Sequence, residues 1–160
     1  MGANSLQQAG DILQFVIPTY AFGVSCYKKD FQGSKQFLYA LGSSALTVHA
    51  LKITTNEKRP NFCPGDKRIS FPSGHTSAAF LGATFIHRRY GFKQAIIPYG
   101  LAALTGYSRV QAKKHHVHDV LAGALISGIC TWIFVDEKGG GISVSSDEHM
   151  STKVAYEVAF

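Results

Sequence analysis

Five apolar segments alternate with short charged stretches along the 160-residue chain. Each segment runs for about 15 to 17 residues without a Lys, Arg, Asp or Glu, a length typical of helices rather than strands. The pattern predicts an all-α fold, an antiparallel bundle of about five mainly apolar helices. The segments are roughly Ile12 to Tyr27, Phe37 to Leu51, Ser70 to Ile86, Gln94 to Ser108 and Val120 to Val135.

Several of these segments are apolar on nearly every face and rich in small residues, as the run from Leu121 to Ile129 illustrates. Amphipathic helices of soluble proteins carry polar residues at every third or fourth position, whereas small residues favour close helix packing in bilayers. We therefore predict that the helices span a membrane. Because a span needs about 20 apolar residues, a soluble helical bundle is the alternative.

The ends of the predicted helices carry recognisable signals. Ser73 or Ser70 can cap the third helix, Gly91 follows its end, and Asp119 lies near the start of the fifth. After residue 138 the chain changes to Gly139-Gly140-Gly141 and a mostly polar sequence. We predict a helical domain over residues 1–138 and a short polar C-terminal tail over residues 139–160.

The composition indicates which kinds of ligand or partner the chain can bind. The formal net charge of +6 suits anionic substrates or lipid headgroups, although solubility alone could explain it. The basic residues are scattered rather than gathered on one helix face, so we predict no nucleic-acid partner. The cysteines number three and form no CxxC pair, so we expect neither a disulfide framework nor a cysteine zinc site.

Three polar patches interrupt the apolar chain. The first is Lys52 followed after six residues by Arg59-Pro60, and the second is the run from Phe71 to His75. The third is Ser108-Arg109, five residues, His115, three residues and Asp119. In an antiparallel bundle these patches fall at helix ends on one side, so they converge on one pocket.

The pocket would hold the fixed cations Lys52, Arg59 and Arg109, which suit the spread charge of a phosphoryl group. Backbone amides of Ser73 and Gly74 at a helix N-terminus form an anion site. His115 and Asp119, four residues apart, share a helix face. A carboxylate on one imidazole nitrogen fixes the tautomer and leaves the other nitrogen as a nucleophile.

Together the patches resemble the three-part signature of the type-2 phosphatidic acid phosphatase superfamily, with every position present in order and at the family's spacing over about Lys52 to Gly128. The resemblance implies a metal-independent phosphatase that hydrolyses a phosphate monoester or diphosphate, without a cofactor. It implies that His115 forms a phosphohistidine and that His75 protonates the leaving oxygen, then activates water. Asp119 would orient His115, and the phosphate-binding residues would be Lys52, Arg59, Ser73, Gly74 and Arg109.

A phosphorylated lipid is the substrate that the resemblance and the apolar helices favour. Candidates are undecaprenyl diphosphate, phosphatidic acid, phosphatidylglycerol phosphate and a lipid A phosphate. The alternatives are a soluble periplasmic acid phosphatase with the same catalytic residues and a non-catalytic phosphate- or lipid-binding relative. The vanadium haloperoxidases share a similar signature but are generally much longer chains.

His116 and His118 flank the predicted nucleophile. The register set by Ser108-Arg109 and Asp119 selects His115, so we interpret these two histidines as residues of the loop or pocket rim, with a metal site as the less favoured alternative. Basic residues are slightly more numerous at the opposite end once the predicted phosphate ligands are excluded. That bias and the resemblance predict a multi-pass protein of the bacterial inner membrane with its active site facing the periplasm.

Overall fold

Five α-helices make up most of the computed structural model, which describes residues 3–61, 63–64 and 68–138. Within those ranges the remaining regular structure is one isolated bridge between Lys58 and Ile69, so the predicted all-α class is confirmed. The helices are α1 (Ala3–Tyr27), α2 (Phe31–Thr55), α3 (Gly74–Tyr90), α4 (Phe92–Gln111) and α5 (Val117–Phe134). The predicted tail, residues 139–160, lies outside the described residues.

Most helices extend beyond the apolar segments that predicted them. The helix α2 begins six residues before Phe37 and ends four residues after Leu51, because its polar end residues keep helical geometry while facing the surface. Ser73 is the N-cap of α3, and its hydroxyl accepts a bond from the amide of Thr76. Gly91 ends α3 with φ of 96°, a value that favours glycine. Both boundary predictions, Ser73 and Gly91, are confirmed.

Many polar side chains are buried between the helices beside the apolar core, and many large apolar side chains are exposed on the outer surface. Along α5 the buried residues are Asp119, Gly123, Ser127, Cys130 and Thr131, whereas large apolar side chains such as Leu125 are exposed. The buried hydroxyls bond helix carbonyls, as Ser127 does with Gly123, or each other, as Thr84 and Thr131 do at 2.9 Å. A large exposed apolar surface of this kind marks a site of contact with a membrane or another protein. The exposed face of α5 comprises Val117, Leu121, Leu125, Ile129, Trp132 and Ile133.

By length and composition, α5 is the one helix among the described residues that is long and apolar enough to cross a membrane. The helices α1 and α2, with 25 residues each, would extend about 37 Å at 1.5 Å per residue. Their polar and charged positions lower their mean hydropathy.

The helix α3 packs against all four other helices and carries the apolar core. Phe37 of α2 meets Phe85 of α3 edge to face, with ring centroids 5.0 Å apart. At this end of the bundle, Arg89 in the last turn of α3 donates two hydrogen bonds of 2.7 Å to the carboxylate of Asp30. The N-terminal end of α3 lies at the three polar patches. The helix therefore runs from the candidate site to the buried pair of Asp30 and Arg89.

Candidate active site

The three polar patches lie together at one end of the bundle. The backbone amide of Ser73, at the start of α3, donates to the carbonyl oxygen of Asp119, in the first turn of α5, at 3.0 Å. Lys52, in the last turn of α2, donates through Nζ to the carbonyl oxygen of Ser70 at 3.3 Å. These bonds tie the C-terminal end of α2 and the N-terminal ends of α3 and α5 to one another, as the sequence predicted.

His115 and Asp119 form a buried pair. The His115 Nδ1 atom lies 3.3 Å from Asp119 Oδ2, and the side chains are 3% and 0% exposed. Asp119 Oδ2 also accepts bonds from the hydroxyl of Ser70 and from the amide of His116. Because three groups hold this carboxylate, it fixes the imidazole and leaves Nε2 as the nitrogen available for chemistry.

Burial is the main cause that lowers the pKa of His115, and the charge of Lys52 lowers it further, to about 4. The nearby carboxylate of Asp119 opposes this shift without cancelling it, and Arg59 adds a smaller contribution in the same direction as Lys52. The imidazole of His115 is therefore neutral at pH 7. A neutral imidazole beside two cations is the protonation state that a nucleophile needs.

Arg109 is fully buried at the end of α4, and its guanidinium is held by three groups. Its Nε donates to Ser108 Oγ at 3.0 Å, and Nη2 donates to the carbonyl oxygen of Gln7 at 2.6 Å. Its Nη1 donates to Asp11 Oδ1 at 2.5 Å. The same carboxylate oxygen lies 3.2 Å from Nε2 of His75. Asp11 of α1 thus joins a phosphate-binding candidate to the predicted general acid.

Ser73 is the N-cap of α3, and Gly74 is the first residue of that helix. The Ser73 hydroxyl accepts bonds from Thr76, and its amide bonds Asp119 within the protein. A β-carbon added at Gly74 would meet no atom nearer than Val48 Cγ1 at 3.9 Å. The glycine is therefore not required by packing within the chain. The phosphate contacts of these two residues stay a prediction.

An apolar cavity of about 240 Å³ adjoins the site between α2 and α3. Lys52 and Gly74 lie at its wall, and the rest of the lining is mainly small and apolar, including Leu41, Val48 and Leu81. A cavity that combines one cation with an aliphatic lining suits an amphiphile, with its phosphate at Lys52 and an apolar part against the helices.

Residues 34–137 match the family described as the PAP2 superfamily. The match covers more than half of the chain and includes all three patches. The chain belongs to the PAP2 superfamily. The predicted type-2 phosphatidic acid phosphatase family is therefore confirmed, and so is the prediction of a phosphoric ester hydrolase.

Several PAP2 relatives share most of this chain. The lipid A 4'-phosphatase of Helicobacter pylori is 33% identical over 83% of this chain and 71% of its own length. A lipid A 1-phosphatase of Porphyromonas gingivalis is 33% identical over 89% of this chain, but over 32% of its own length. The crystal structure of Aquifex aeolicus LpxE aligns with a TM-score of 0.69 and 25% identity, over 83% of this chain and 84% of that one.

The relatives support a phosphorylated lipid as the substrate class and a membrane as the location of this PAP2 enzyme. A transmembrane PAP2-type phosphatidylglycerolphosphate phosphatase from Bacillus subtilis also aligns, with a TM-score of 0.62 and 27% identity over 82% of this chain and 72% of that one. The relatives thus include lipid phosphatases with different headgroups.

Sequence reasoning about the PAP2 site missed Asp11 and Ser70. Asp11 directly precedes the first apolar segment and is an isolated carboxylate in a helix that otherwise lacks charge over residues 3–27. An ionisable group in such a helix is a signal of function, and the buried Arg109 requires a carboxylate partner. Ser70 was considered only as a helix cap, and its bond to Asp119 depends on a loop geometry that has no sequence pattern.

Proposed function

We propose that this PAP2 enzyme removes a phosphate from a membrane lipid, with a lipid A phosphate as the first candidate, through a phosphohistidine on His115. The observation that carries the proposal is the buried pair of His115 and Asp119, with Nδ1 and Oδ2 3.3 Å apart and the ring neutral at pH 7. The choice among lipids rests on the names of the relatives, because the site residues do not select one.

In the first step, the lone pair of His115 Nε2 attacks phosphorus, and the bond from phosphorus to the lipid oxygen breaks. His75 donates a proton to the departing oxygen, so the lipid leaves as an alcohol or, from a diphosphate, as a monophosphate. Asp119 accepts the hydrogen bond of the His115 Nδ1–H group throughout and stabilises the positive charge that the ring acquires.

In the second step, His75 takes a proton from a water molecule, whose oxygen attacks phosphorus. The bond between phosphorus and Nε2 breaks, inorganic phosphate leaves, and His115 returns to its neutral state. Asp11, 3.2 Å from His75 Nε2, positions that ring and stabilises the protonated form that it has before the first step and regains in the second.

Charge neutralisation comes from side chains rather than from a metal ion. Lys52, Arg59 and Arg109 place three positive charges around the phosphoryl group, which carries up to two negative charges and gains more at the oxygens as the reaction proceeds. The amide of Gly74 at the start of α3 adds the favourable end of the helix dipole. We therefore expect turnover that does not depend on a divalent ion.

The enzyme would be a multi-pass protein of the bacterial inner membrane, with the site facing the periplasm. The exposed apolar face of α5 and the polar side chains buried between the helices support insertion of the whole bundle. The cavity between α2 and α3 would then admit an acyl chain from the bilayer while the phosphate reaches Lys52.

The test compares the wild type with His115→Ala in detergent after EDTA treatment. The substrates are a lipid A phosphate, undecaprenyl diphosphate, phosphatidic acid, phosphatidylglycerol phosphate and p-nitrophenyl phosphate. We expect phosphate release by the wild type and none above background by the variant. His87→Ala is the matched control, because His87 bonds Tyr99 at the opposite end of α3 and should keep full activity.

When turnover of a substrate with a labelled phosphate is quenched rapidly, a covalent phosphoprotein should be trapped. It should be stable in base and labile in acid, as expected for phosphohistidine. Full activity of His115→Ala would refute the mechanism. Loss of wild-type activity in EDTA that returns with a divalent ion would refute metal independence. Release of the protein from membranes by carbonate without detergent would exclude the multi-pass arrangement and favour the soluble alternative.

A further inference from the structure

Four side chains at the outer edge of the site bring their ligand atoms together. Glu57 comes from the loop after α2, and His116, His118 and Asp119 come from the start of α5; their nitrogen and carboxylate atoms all lie within 4.8 Å of one another. The rings of His116 and His118 stack with centroids 5.1 Å apart and planes inclined by 8°. Two chain segments that are almost 60 residues apart in sequence therefore converge on one point.

The separations approach the edges of a tetrahedral metal site: one lies in the expected range, and the other two, one of them a hydrogen bond between His118 and Glu57, are shorter. Zinc bonds nitrogen and carboxylate oxygen at about 2.0–2.2 Å, so two ligands at the tetrahedral angle lie about 3.3–3.5 Å apart. Glu57 Oε1 lies 3.3 Å from His116 Nδ1 and 2.9 Å from His118 Nε2. His118 Nε2 lies 3.1 Å from Asp119 Oδ1. Small side-chain adjustments would bring these atoms to ligand distances.

A second observation is the hydrogen bonding of Asp119, whose side chain is fully buried. Its Oδ2 atom accepts bonds from Ser70 and His116 and faces His115. Among the described residues no donor reaches Oδ1 in hydrogen-bond geometry, although His118 Nε2 lies 3.1 Å away. A buried carboxylate oxygen without a donor is costly, and here it lies toward two imidazoles and a second carboxylate.

We propose that Glu57, His116, His118 and Asp119 bind one divalent transition-metal ion, for which Zn²⁺ is the probe. Two neutral imidazoles and two carboxylates suit a borderline ion such as Zn²⁺ better than Mg²⁺ or Ca²⁺, which prefer oxygen ligands. The two carboxylates balance the charge of the ion. The histidines used here are the two that the proposed chemistry leaves unassigned.

Occupancy of this site lowers turnover, a consequence that rests on the proposed function. Asp119 would bind the ion through its Oδ1 atom and would still accept the hydrogen bond of His115 through its Oδ2 atom. An ion on Oδ1 withdraws negative charge from the carboxylate, so the hydrogen bond to His115 Nδ1 weakens and Nε2 becomes a poorer nucleophile. The ion would thus act as an inhibitor of a reaction that itself needs no metal.

The binding test uses the full chain in detergent, stripped with EDTA and then freed of it. Calorimetric titration with Zn²⁺ should give one ion per chain, and Co²⁺ should give the intense visible absorption of a four-coordinate site. His118→Gln and Glu57→Gln should each weaken Zn²⁺ binding by about tenfold or more. His49→Gln, which changes an exposed histidine outside the cluster, is the matched control and should bind like the wild type.

The turnover test adds Zn²⁺ to the same proteins with p-nitrophenyl phosphate. We expect inhibition of the wild type and of His49→Gln at the Zn²⁺ concentrations that saturate binding, and much weaker inhibition of His118→Gln. Circular dichroism and gel filtration of each variant check that it is folded. Reversal of the inhibition by EDTA should accompany loss of the Co²⁺ absorption.

Absence of saturable Zn²⁺ binding to the wild type, or equal binding by His118→Gln, Glu57→Gln and the wild type, overturns the site. The weak absorption of a six-coordinate Co²⁺ ion overturns the tetrahedral assignment. Binding that depends on Glu57 and His118 but leaves turnover unchanged overturns the inhibitory role. Titration and absorption decide the site even if the protein hydrolyses none of the substrates, so failure of the proposed function remains a separate result.

Discussion

Two buried arginines lie at opposite ends of the bundle, and each is paired with an aspartate. Arg89 donates two hydrogen bonds of 2.7 Å to both oxygens of Asp30, and the two side chains are 7% and 5% exposed. Arg109 is 0% exposed, but it contacts a single oxygen of Asp11, whose side chain is 38% exposed. The pairs share residue types and differ in how completely the protein encloses the carboxylate.

The enclosed pair is complete within the protein. Asp30 also accepts bonds from the amide of Gly33 and the hydroxyl of Tyr90, and Arg89 reaches the carbonyl oxygen of Asp136. The Arg89 hydrogen bonds are the main cause that lowers the pKa of Asp30, and they outweigh its burial. A pair of this kind fixes the helix ends, because its removal would leave a buried charge without compensation.

The pair of Arg109 and Asp11 at the site end is enclosed less completely than the pair of Arg89 and Asp30. Asp11 shares one oxygen between Arg109 and His75 and remains in contact with solvent. A carboxylate in this position can hold two functional groups in place without blocking the entry of a phosphate. We propose that the same ion pair serves structure at the enclosed end of the bundle and chemistry at the open end.

Replacing each arginine by glutamine tests the comparison most strongly. Arg109→Gln should lower kcat/KM for lipid phosphate hydrolysis by about 10³-fold, about 4 kcal/mol, because a charged donor to the transition state is lost. Arg89→Gln should lower the thermal unfolding midpoint, while the folded fraction keeps kcat/KM close to the wild type. The measurements are steady-state kinetics and thermal unfolding of both variants in detergent. Equal kinetic losses in the two variants would contradict the assignment.

Asp30→Asn should destabilise the fold by about 3 kcal/mol at neutral pH, because Arg89 is left as a buried charge without its carboxylate. The direction of the Asp30 pKa shift determines how its contribution to stability depends on pH. Asp30 has a folded pKa below its ordinary value of 3.8, so its contribution to stability is present above that pH and is lost as the pH falls toward the folded pKa. The difference between wild type and variant should therefore shrink below about pH 4.

Thermal unfolding in detergent between about pH 7 and about pH 3 measures this convergence. Tyr90→Phe is a milder control, since it removes one hydrogen bond to Asp30 and leaves the charges in place. A constant difference between wild type and Asp30→Asn across the whole range would show that Asp30 does not act through its charge.

The helices and the three patches could be predicted because both leave local signals. Apolar runs and caps such as Ser73 and Gly91 can be recognised from neighbouring residues. The fixed spacing from Ser108 to Asp119 is likewise visible in the sequence and selects the histidine. The partners of these residues could not be predicted in the same way. Asp11 reaches Arg109 across 98 positions, and that contact depends on how α1 lies against α4, which no local pattern encodes.

The prediction of membrane-spanning helices was limited for the same reason, because local sequence does not show what surrounds a residue in the folded bundle. Apolar run lengths of about 15 to 17 residues fall short of a span, whereas the observed helices have 17 to 25 residues. The added helical residues are largely polar, and their surroundings become known only in the folded bundle. Buried hydroxyls such as those of Ser127 and Thr131 lower the mean hydropathy of helices whose outer faces remain apolar.

Asp11→Asn should lower kcat by about 30-fold, since a charge-assisted hydrogen bond of about 2 kcal/mol to His75 and Arg109 becomes a neutral one. The KM should change much less, because Arg109 keeps its bonds to Gln7 and Ser108. Steady-state kinetics with p-nitrophenyl phosphate and a lipid A phosphate separate the two constants. Asp11→Glu, which keeps the charge, should recover part of the rate. A large rise in KM at unchanged kcat would instead indicate a role in binding alone.

The smallest expected effect concerns the close contact of α5 with α3 at the site end. A β-carbon added at Gly123 would lie 2.5 Å from the carbonyl oxygen of Ser73 and 3.3 Å from the amide nitrogen of Ser77. Both neighbours are backbone atoms at the start of α3, so they cannot move without displacing the N-terminal turn. Gly123→Ala should therefore lower stability by about 1.5 kcal/mol.

Gly128→Ala is the matched control for this contact, because nothing lies within 4 Å of the added carbon and alanine favours the helix by up to about 1 kcal/mol. Thermal unfolding in detergent should thus move in opposite directions for two glycines of one helix. The kinetics add a second comparison: displacement of Ser73 and Gly74 by the Gly123→Ala substitution should also reduce phosphate release, whereas Gly128→Ala should not. Equal behaviour of the two variants would show that the approach of α5 to α3 does not position the phosphate-binding turn.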